Sequence, residues 1–212
     1  MKKFLPVLAL AFSSAAWAQT GELWFNFGES LLQNAGLGTD QISPLGGPVN
    51  GATSNDVKLT NDWRFSFRFG FNQGDHFGHE IQYAYNRTQL QYNVPEVVEG
   101  VTEPSKSGMA FHQGGYNFLY YLGTGTDRRI RPFATAGVMF DTFVPPGSSL
   151  YGGGSTKFGA NFGAGVKVHI KGIWAARLDA REYVSGKPAF GFPLNSGALW
   201  QTEISAGVGV GF

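Results

Sequence analysis

The 212 residues contain no cysteine, so neither a disulfide framework nor a thiolate metal site is available. No run of about eighteen apolar residues occurs, which excludes a membrane-spanning helix. Charge of neither sign dominates: 16 lysines and arginines stand against 15 aspartates and glutamates. The basic stripe of a nucleic-acid-binding protein is therefore missing. Histidine is scarce, at 4, which limits both general-base chemistry and metal ligation. What is plentiful is glycine, at 31, and phenylalanine, at 19. Glycine and phenylalanine in quantity, without cysteine or a long apolar run, fit a β-barrel that crosses a membrane with strands.

The amino end reads as a secretory leader. Lys2 and Lys3 precede a short apolar run over residues 4–12, and Ala16-Trp17-Ala18 has the small-x-small form of a cleavage site. A buried N-terminal helix is the competing reading, but it does not require these three features in this order. The expected division is a signal peptide over residues 1–18 and one β-barrel domain over residues 19–212. Without Lys2 and Lys3 the sixteen basic residues fall to fourteen, against fifteen acidic ones.

Beyond the leader, apolar and polar residues alternate in eight segments, the period of a strand whose side chains point to opposite faces. The clearest, over residues 58–72, sets Trp63, Phe65, Phe67, Phe69 and Phe71 against Asp62, Arg64, Ser66, Arg68 and Gly70. The others cover residues 22–30, 78–92, 109–122, 131–143, 157–170, 173–184 and 199–212. In the last, Trp200, Ile204, Val208 and Phe212 share one face and Glu203, Gly207, Gly209 and Gly211 the other. Connections alternate in length. Those over 72–77, 123–130 and 171–172 are short; those over 31–57, 94–108, 144–156 and 185–198 are long. Every proline except Pro6 and Pro132 falls in a long connection, where no ladder N–H is needed. Short turns at one end and long loops at the other form the outer-membrane pattern, with short turns facing the periplasm.

A soluble lipocalin-like barrel also alternates, so volume must decide. An eight-stranded barrel has an interior just wide enough for its side chains. The face with Gly159, Gly163, Gly165, Gly207 and Gly209 is the small one and carries the charges; the phenylalanine face is large. Small and charged side chains are therefore expected inside and phenylalanines toward lipid. The expected fold is all-β, an eight-stranded antiparallel up-and-down transmembrane β-barrel.

The run Gly163-Ala164-Gly165-Val166-Lys167-Val168, with Trp174 to Tyr183 after it, resembles the sixth and seventh strands of the transmembrane barrel of outer membrane protein A and its relatives, the OmpA-like porin family. Residues 131–138, Arg-Pro-Phe-Ala-Thr-Ala-Gly-Val, resemble that family's fifth strand. The resemblance implies a Gram-negative outer-membrane protein at the cell surface. It also implies that Phe212 is the carboxy-terminal signal read by the barrel-assembly machinery. The sequence ends at the barrel, so the family's peptidoglycan-binding domain and tethering role are not implied.

Catalysis needs a nucleophile with a base in reach. Lipid A deacylases of this architecture carry a His-x-Ser pair, whereas His112 is followed by Gln113 and Gly114. No enzymatic activity is expected, no cofactor, and no metal site: His76 and His79 flank a short turn. The interior charges are more informative. Asp62, Arg64, Arg68, Glu80, Asp141, Lys157, Lys167, Arg177, Asp179, Arg181 and Glu203 all project inward by parity, and buried charges persist only when paired. They are expected to form a salt-bridged plug, or a gate if pairs exchange partners. Counting up from the short turns pairs Arg68 with Glu80 and Arg181 with Glu203, with Asp179 or Asp62 as substitutes. Trp63, Trp174 and Trp200 are expected in interfacial girdles, Trp24 inward or at the rim, and Arg87 outward, at the rim or on a lipopolysaccharide phosphate.

The expected role is structural or surface-interacting, in the cell outer membrane. A low-conductance pore and a lipid-modifying enzyme are the alternatives. The expected partners are outer-membrane lipid and lipopolysaccharide, the assembly machinery, and a surface ligand on the long loops. No nucleic acid is expected, and a monomer is. The glycine-, asparagine- and proline-rich connection over 31–57 reads as mobile.

Overall fold

The computed structural model describes residues 19–92, 105–123, 129–147 and 153–211. The expected leader and Phe212 lie outside them. Eight long strands form the wall: β1 (Gln19–Gln33), β4 (Asp62–Gln73), β5 (Phe77–Tyr92), β6 (Ser105–Tyr121), β7 (Ile130–Val144), β8 (Ser155–Lys171), β9 (Trp174–Gly186) and β10 (Ala198–Gly211). Each pairs antiparallel with its neighbours. The first and last strands also pair, Glu22 opposite Gly211 through Gln33 opposite Trp200, and this closes an eight-stranded barrel. Two short strands, β2 (Gly36–Gly38) and β3 (Val57–Leu59), lie within the first long connection.

The strand expected over residues 58–72 is interrupted. Leu59 pairs with Leu90 and Arg64 with Asn86, so five steps on one strand face four on β5. The extra residue is a β-bulge at Thr60 and Asn61. Thr60 N donates to Gln89 O, Thr88 Oγ1 donates to Thr60 O, and Asn61 Oδ1 accepts from Leu32 N. An extra residue reverses parity. Even-numbered side chains of β4 point inward, but on β3 it is Val57 and Leu59 that are buried.

The wall has the expected two faces. Phe27, Phe158, Phe162, Leu178, Ile204 and Val208 are all more than half exposed, on the outward parity of their strands. An exposed apolar band of this extent marks a surface that meets another apolar phase. Beside the small and charged side chains expected there, the inward face also holds large rings: Trp24, Tyr121, Phe133, Tyr183, Phe111 and Phe143 are buried. Opposing glycines make the room. A Cβ on Gly209 would stand 2.4 Å from the Trp24 ring, one on Gly165 2.5 Å from Phe133, and one on Gly163 2.8 Å from Arg181 Cγ.

At the long-loop end the bore is closed by an apolar cluster that the sequence did not suggest. Leu37, Val57, Leu59, Leu90, Met109, Phe111, Phe143, Phe190 and Leu199 pack together there. The connection expected to be mobile supplies two of them, Leu37 and Val57. It is tied down by Asp56, whose carboxylate accepts from Thr39 Oγ1, Gln41 Nε2, and Thr53 N and Oγ1.

Candidate functional site

Strand β9 presents Arg177, Asp179 and Arg181 on alternate positions, so all three enter the bore at successive heights. β4 adds Arg64 and Arg68, β5 adds Glu80 and β10 adds Glu203. The seven side chains are buried and in mutual contact. Arg177 holds Asp179 with two nitrogens, Nε to Oδ2 at 2.6 Å and Nη2 to Oδ1 at 3.0 Å, and reaches Glu80 Oε2 with Nη1 at 2.5 Å. Arg68 spans the bore, Nη1 to Asp179 Oδ1 at 2.9 Å and Nη2 to Glu203 Oε1 at 2.6 Å. Arg181 Nη2 bonds Glu80 Oε1 at 2.9 Å and Asp179 Oδ1 at 3.0 Å, and Arg64 Nη1 lies 3.1 Å from Glu203 Oε2. The planar guanidinium fork suits such shared, two-pronged contacts.

The expected pairs are only partly formed. Arg68 and Glu80 come no closer than 4.0 Å. Arg181 and Glu203 are Cα partners across β9 and β10, yet their side chains diverge, Arg181 to Glu80 and Asp179, and Glu203 to Arg64 and Arg68. Asp179 is the partner that both arginines share.

The seven groups are four cations and three anions. The fourth carboxylate is reached through an amide: Arg64 Nη2 donates to Gln113 Oε1 at 3.1 Å, and Gln113 Nε2 donates to Asp141 Oδ1 at 3.0 Å. Asp141 also accepts from Ser185 Oγ at 2.8 Å. Gln113 and Gln201 continue this amide layer toward Asn86 and Ser30. Parity alone does not single out Gln113 or Gln201, because neither carries charge.

Lys167 belongs to a separate layer at the short-turn end. Its Nζ bonds Glu22 Oε2 and donates to Tyr121 Oη, and it sits among the rings of Trp24, Tyr121 and Phe133. Trp24 Nε1 and Asn72 Nδ2 also donate to Glu22. Sequence reasoning overlooked Glu22, although its even number placed it on the face of Trp24 and Asn26. Asp62 is not in the network. It lies at the bulged end of β4, with Oδ2 3.6 Å from Arg87 Nε on the outside of the wall. Lys157 is half-buried near Gly186 at the long-loop end.

Trp174 and Trp200 stand outward near the start of their antiparallel strands, and so at opposite ends of the barrel, and Trp63 packs against Phe27 and Tyr85. The four histidines stay clear of the bore. His76 stacks on Tyr120, His79 and His112 bond outward-facing Tyr116 and Tyr83, and His169 bonds Gly172 O at a turn. Among the described residues no group of acidic or histidine side chains is arranged to hold a metal ion. The bore thus stacks a lysine–aromatic layer, an arginine–carboxylate layer, an amide layer and an apolar cap.

A family model described as the outer membrane protein beta-barrel domain matches residues 5–212. No curated protein matches the chain. Among solved structures, the outer membrane protein OprG from Pseudomonas aeruginosa is 15% identical, with 92% of this chain and 96% of that chain covered and a TM-score of 0.60. The N-terminal β-barrel domain of Pseudomonas aeruginosa OprF is 15% identical, with coverages of 91% and 97% and a TM-score of 0.50. Neisserial surface protein A is 14% identical, with coverages of 91% and 97% and a TM-score of 0.50. At these identities the likeness is one of fold.

Proposed function

Because the chain belongs to the outer-membrane β-barrel family, we propose that it is a sealed barrel of the outer membrane that holds its long loops at the cell surface, with a structural or surface-interaction role. The observation that carries this is the buried arginine–carboxylate layer. Its charges come from strands on opposite sides of the bore and meet in the middle, and the apolar cluster closes the bore above them. Ions crossing such a barrel would have to part several desolvated pairs, each poorly screened.

The residue 1–18 leader, recognition of Phe212 by the assembly machinery, and kinship with the outer membrane protein A barrel are parts of this reading. The short-turn end then faces the periplasm. Absence of catalysis is supported by the placement of the histidines, all away from the bore, without a His-x-Ser pair at the rim.

Conductance of the intact protein in planar bilayers tests the proposal. No steady single-channel steps are expected from the parent barrel, and Glu203→Ala, which leaves Arg64 and Arg68 short of an anion, is expected to introduce them. Steady steps from the parent overturn the sealed bore in favour of a low-conductance pore. A mass change in lipid A upon expression would establish an enzyme instead.

A further inference from the structure

The outward wall is not uniform at the long-loop end. Lys58 on β3 is opposite Gln91 on β5, and Gln91 is opposite Lys106 on β6. The two lysines therefore lie two strand spacings apart, about 10 Å. Lys58 points outward because Val57 and Leu59 on either side of it are buried in the apolar cluster. Arg87 faces the same way four residues below Gln91, and its side chain is 51% exposed. The outward acids Glu29 and Glu182 lie elsewhere on the wall, on β1 and β9.

Below these cations the wall is hollow. A concavity of about 480 Å³ is lined by Tyr85, Arg87, Gly108, Ala110, His112 and Val144. Its floor is low because the outward positions of β6 between Lys106 and His112 are Gly108 and Ala110, and a Cβ on Gly108 would meet nothing within 4 Å. The lower edge is aromatic, with His112 Nδ1 bonded to Tyr83 Oη at 2.7 Å. Among the described residues Arg87 has one ion-pair contact, 3.6 Å to Asp62, which is a loose hold on a group with five N–H donors. An apolar trough open to the lipid-facing wall, with cations at its upper edge, is complementary to a molecule that joins acyl chains to phosphate.

We propose that the outward face of β3, β5 and β6 binds the phosphorylated glycolipid of the outer leaflet, lipopolysaccharide. An acyl chain lies over Gly108 and Ala110, and the phosphates meet Arg87, Lys58 and Lys106. A soluble anion would use the cations and have no use for the trough. Asp62 opposes binding by competing for Arg87. The proposal rests on the outer-membrane placement, but its failure is separable from that of the sealed bore, since conductance and lipid retention are measured independently.

The test is lipid A retention by the full-length protein in detergent micelles, read by native mass spectrometry during titration. Replacing Lys58, Arg87 and Lys106 together by Gln is expected to weaken retention by roughly a hundredfold, while Lys171→Gln at a short turn leaves it unchanged. Dephosphorylated lipid A is expected to bind the parent no better than lipid A binds the triple variant. Asp62→Asn is expected to tighten retention. Ala110→Leu, which fills the trough, is expected to weaken it without altering competition by inorganic phosphate. Equal retention by parent and triple variant, both folded by circular dichroism, overturns the proposal. So does equal affinity for phosphatidylglycerol vesicles, or a lipid-free dimer that the triple variant abolishes, which would make this face a contact between copies.

Discussion

Asp179 Oδ1 accepts from three guanidiniums, those of Arg68, Arg177 and Arg181. A carboxylate shared in this way couples its partners, so single substitutions in the network are not additive. The strongest coupling is expected for side chains that touch, whatever their backbone pairing. A double-mutant cycle on Arg68→Ala and Glu203→Ala, read by urea unfolding from lipid vesicles, is expected to give a coupling of about 1–3 kcal/mol. The cycle on Arg181 and Glu203, Cα partners whose side chains diverge, is expected to give less. Equal coupling in the two cycles would show that strand register, not side-chain contact, carries the interaction. Parity was enough to place Arg64, Arg68, Arg177, Asp179, Arg181 and Glu203 inside. It could not give their partners, because an arginine is long enough to cross a narrow bore and choose a carboxylate two to four strands away.

Among the elements, the bulge between β3 and β4 explains why part of the interior was hidden. Reading residues 58–72 as one uninterrupted strand puts Leu59 with the lipid-facing phenylalanines, whereas one extra residue turns it and Val57 into the bore. Nothing in Thr60-Asn61 announces a bulge, and the apolar cap it helps to build went unseen with it. The contacts of the first long connection were hidden for a related reason. Its composition suits a mobile loop, but the partners of Asp56 are spread from Thr39 to Thr53. Burial raises the Asp56 carboxyl, and hydrogen bonds from Thr39 and Thr53 outweigh that effect and hold it below its ordinary value of 3.8. A lowered value in the folded loop means that the stabilisation is present above the ordinary value and is lost as pH falls through the folded one. Pepsin nicking within residues 42–52, relative to Asp56→Asn, is therefore expected to rise as pH is lowered below about 4. A constant ratio across that range would remove Asp56 as the tie.

For the whole molecule, the assignment of the two faces has a direct test. Phe67 packs between Phe25 and Phe65 on the outward wall, with strand on every side. Phe67→Arg is expected to cost about 2–4 kcal/mol when the barrel folds into bilayers, since a cation there meets hydrocarbon. Folding of this variant as stable as the parent's would mean that the phenylalanine face is not the lipid face. The closed all-β architecture was legible because alternation and the contrast in side-chain volume point the same way in nearly every strand. The layered filling of the bore was not, because layers are formed by side chains far apart in sequence.

The ring of strands also constrains the order in which the protein can be built. Arg68 finds its anions 111 and 135 positions further along the chain, on β9 and β10, and β10 meets β1 only when the ring shuts. Before that moment β4 and β5 turn two arginines, Arg64 and Arg68, and one glutamate, Glu80, toward the bore, with their remaining counterions at the far margin of an open sheet. Such a sheet is poorly suited to hydrocarbon, so entry into the bilayer and ring closure are driven to occur together. Pairing the first strand with the last is among the most non-local contacts a chain can make, and such contacts form slowly. The ion network thus favours a late, concerted final step in biogenesis, and a chain that has not completed it remains too polar to wander into the membrane half-made.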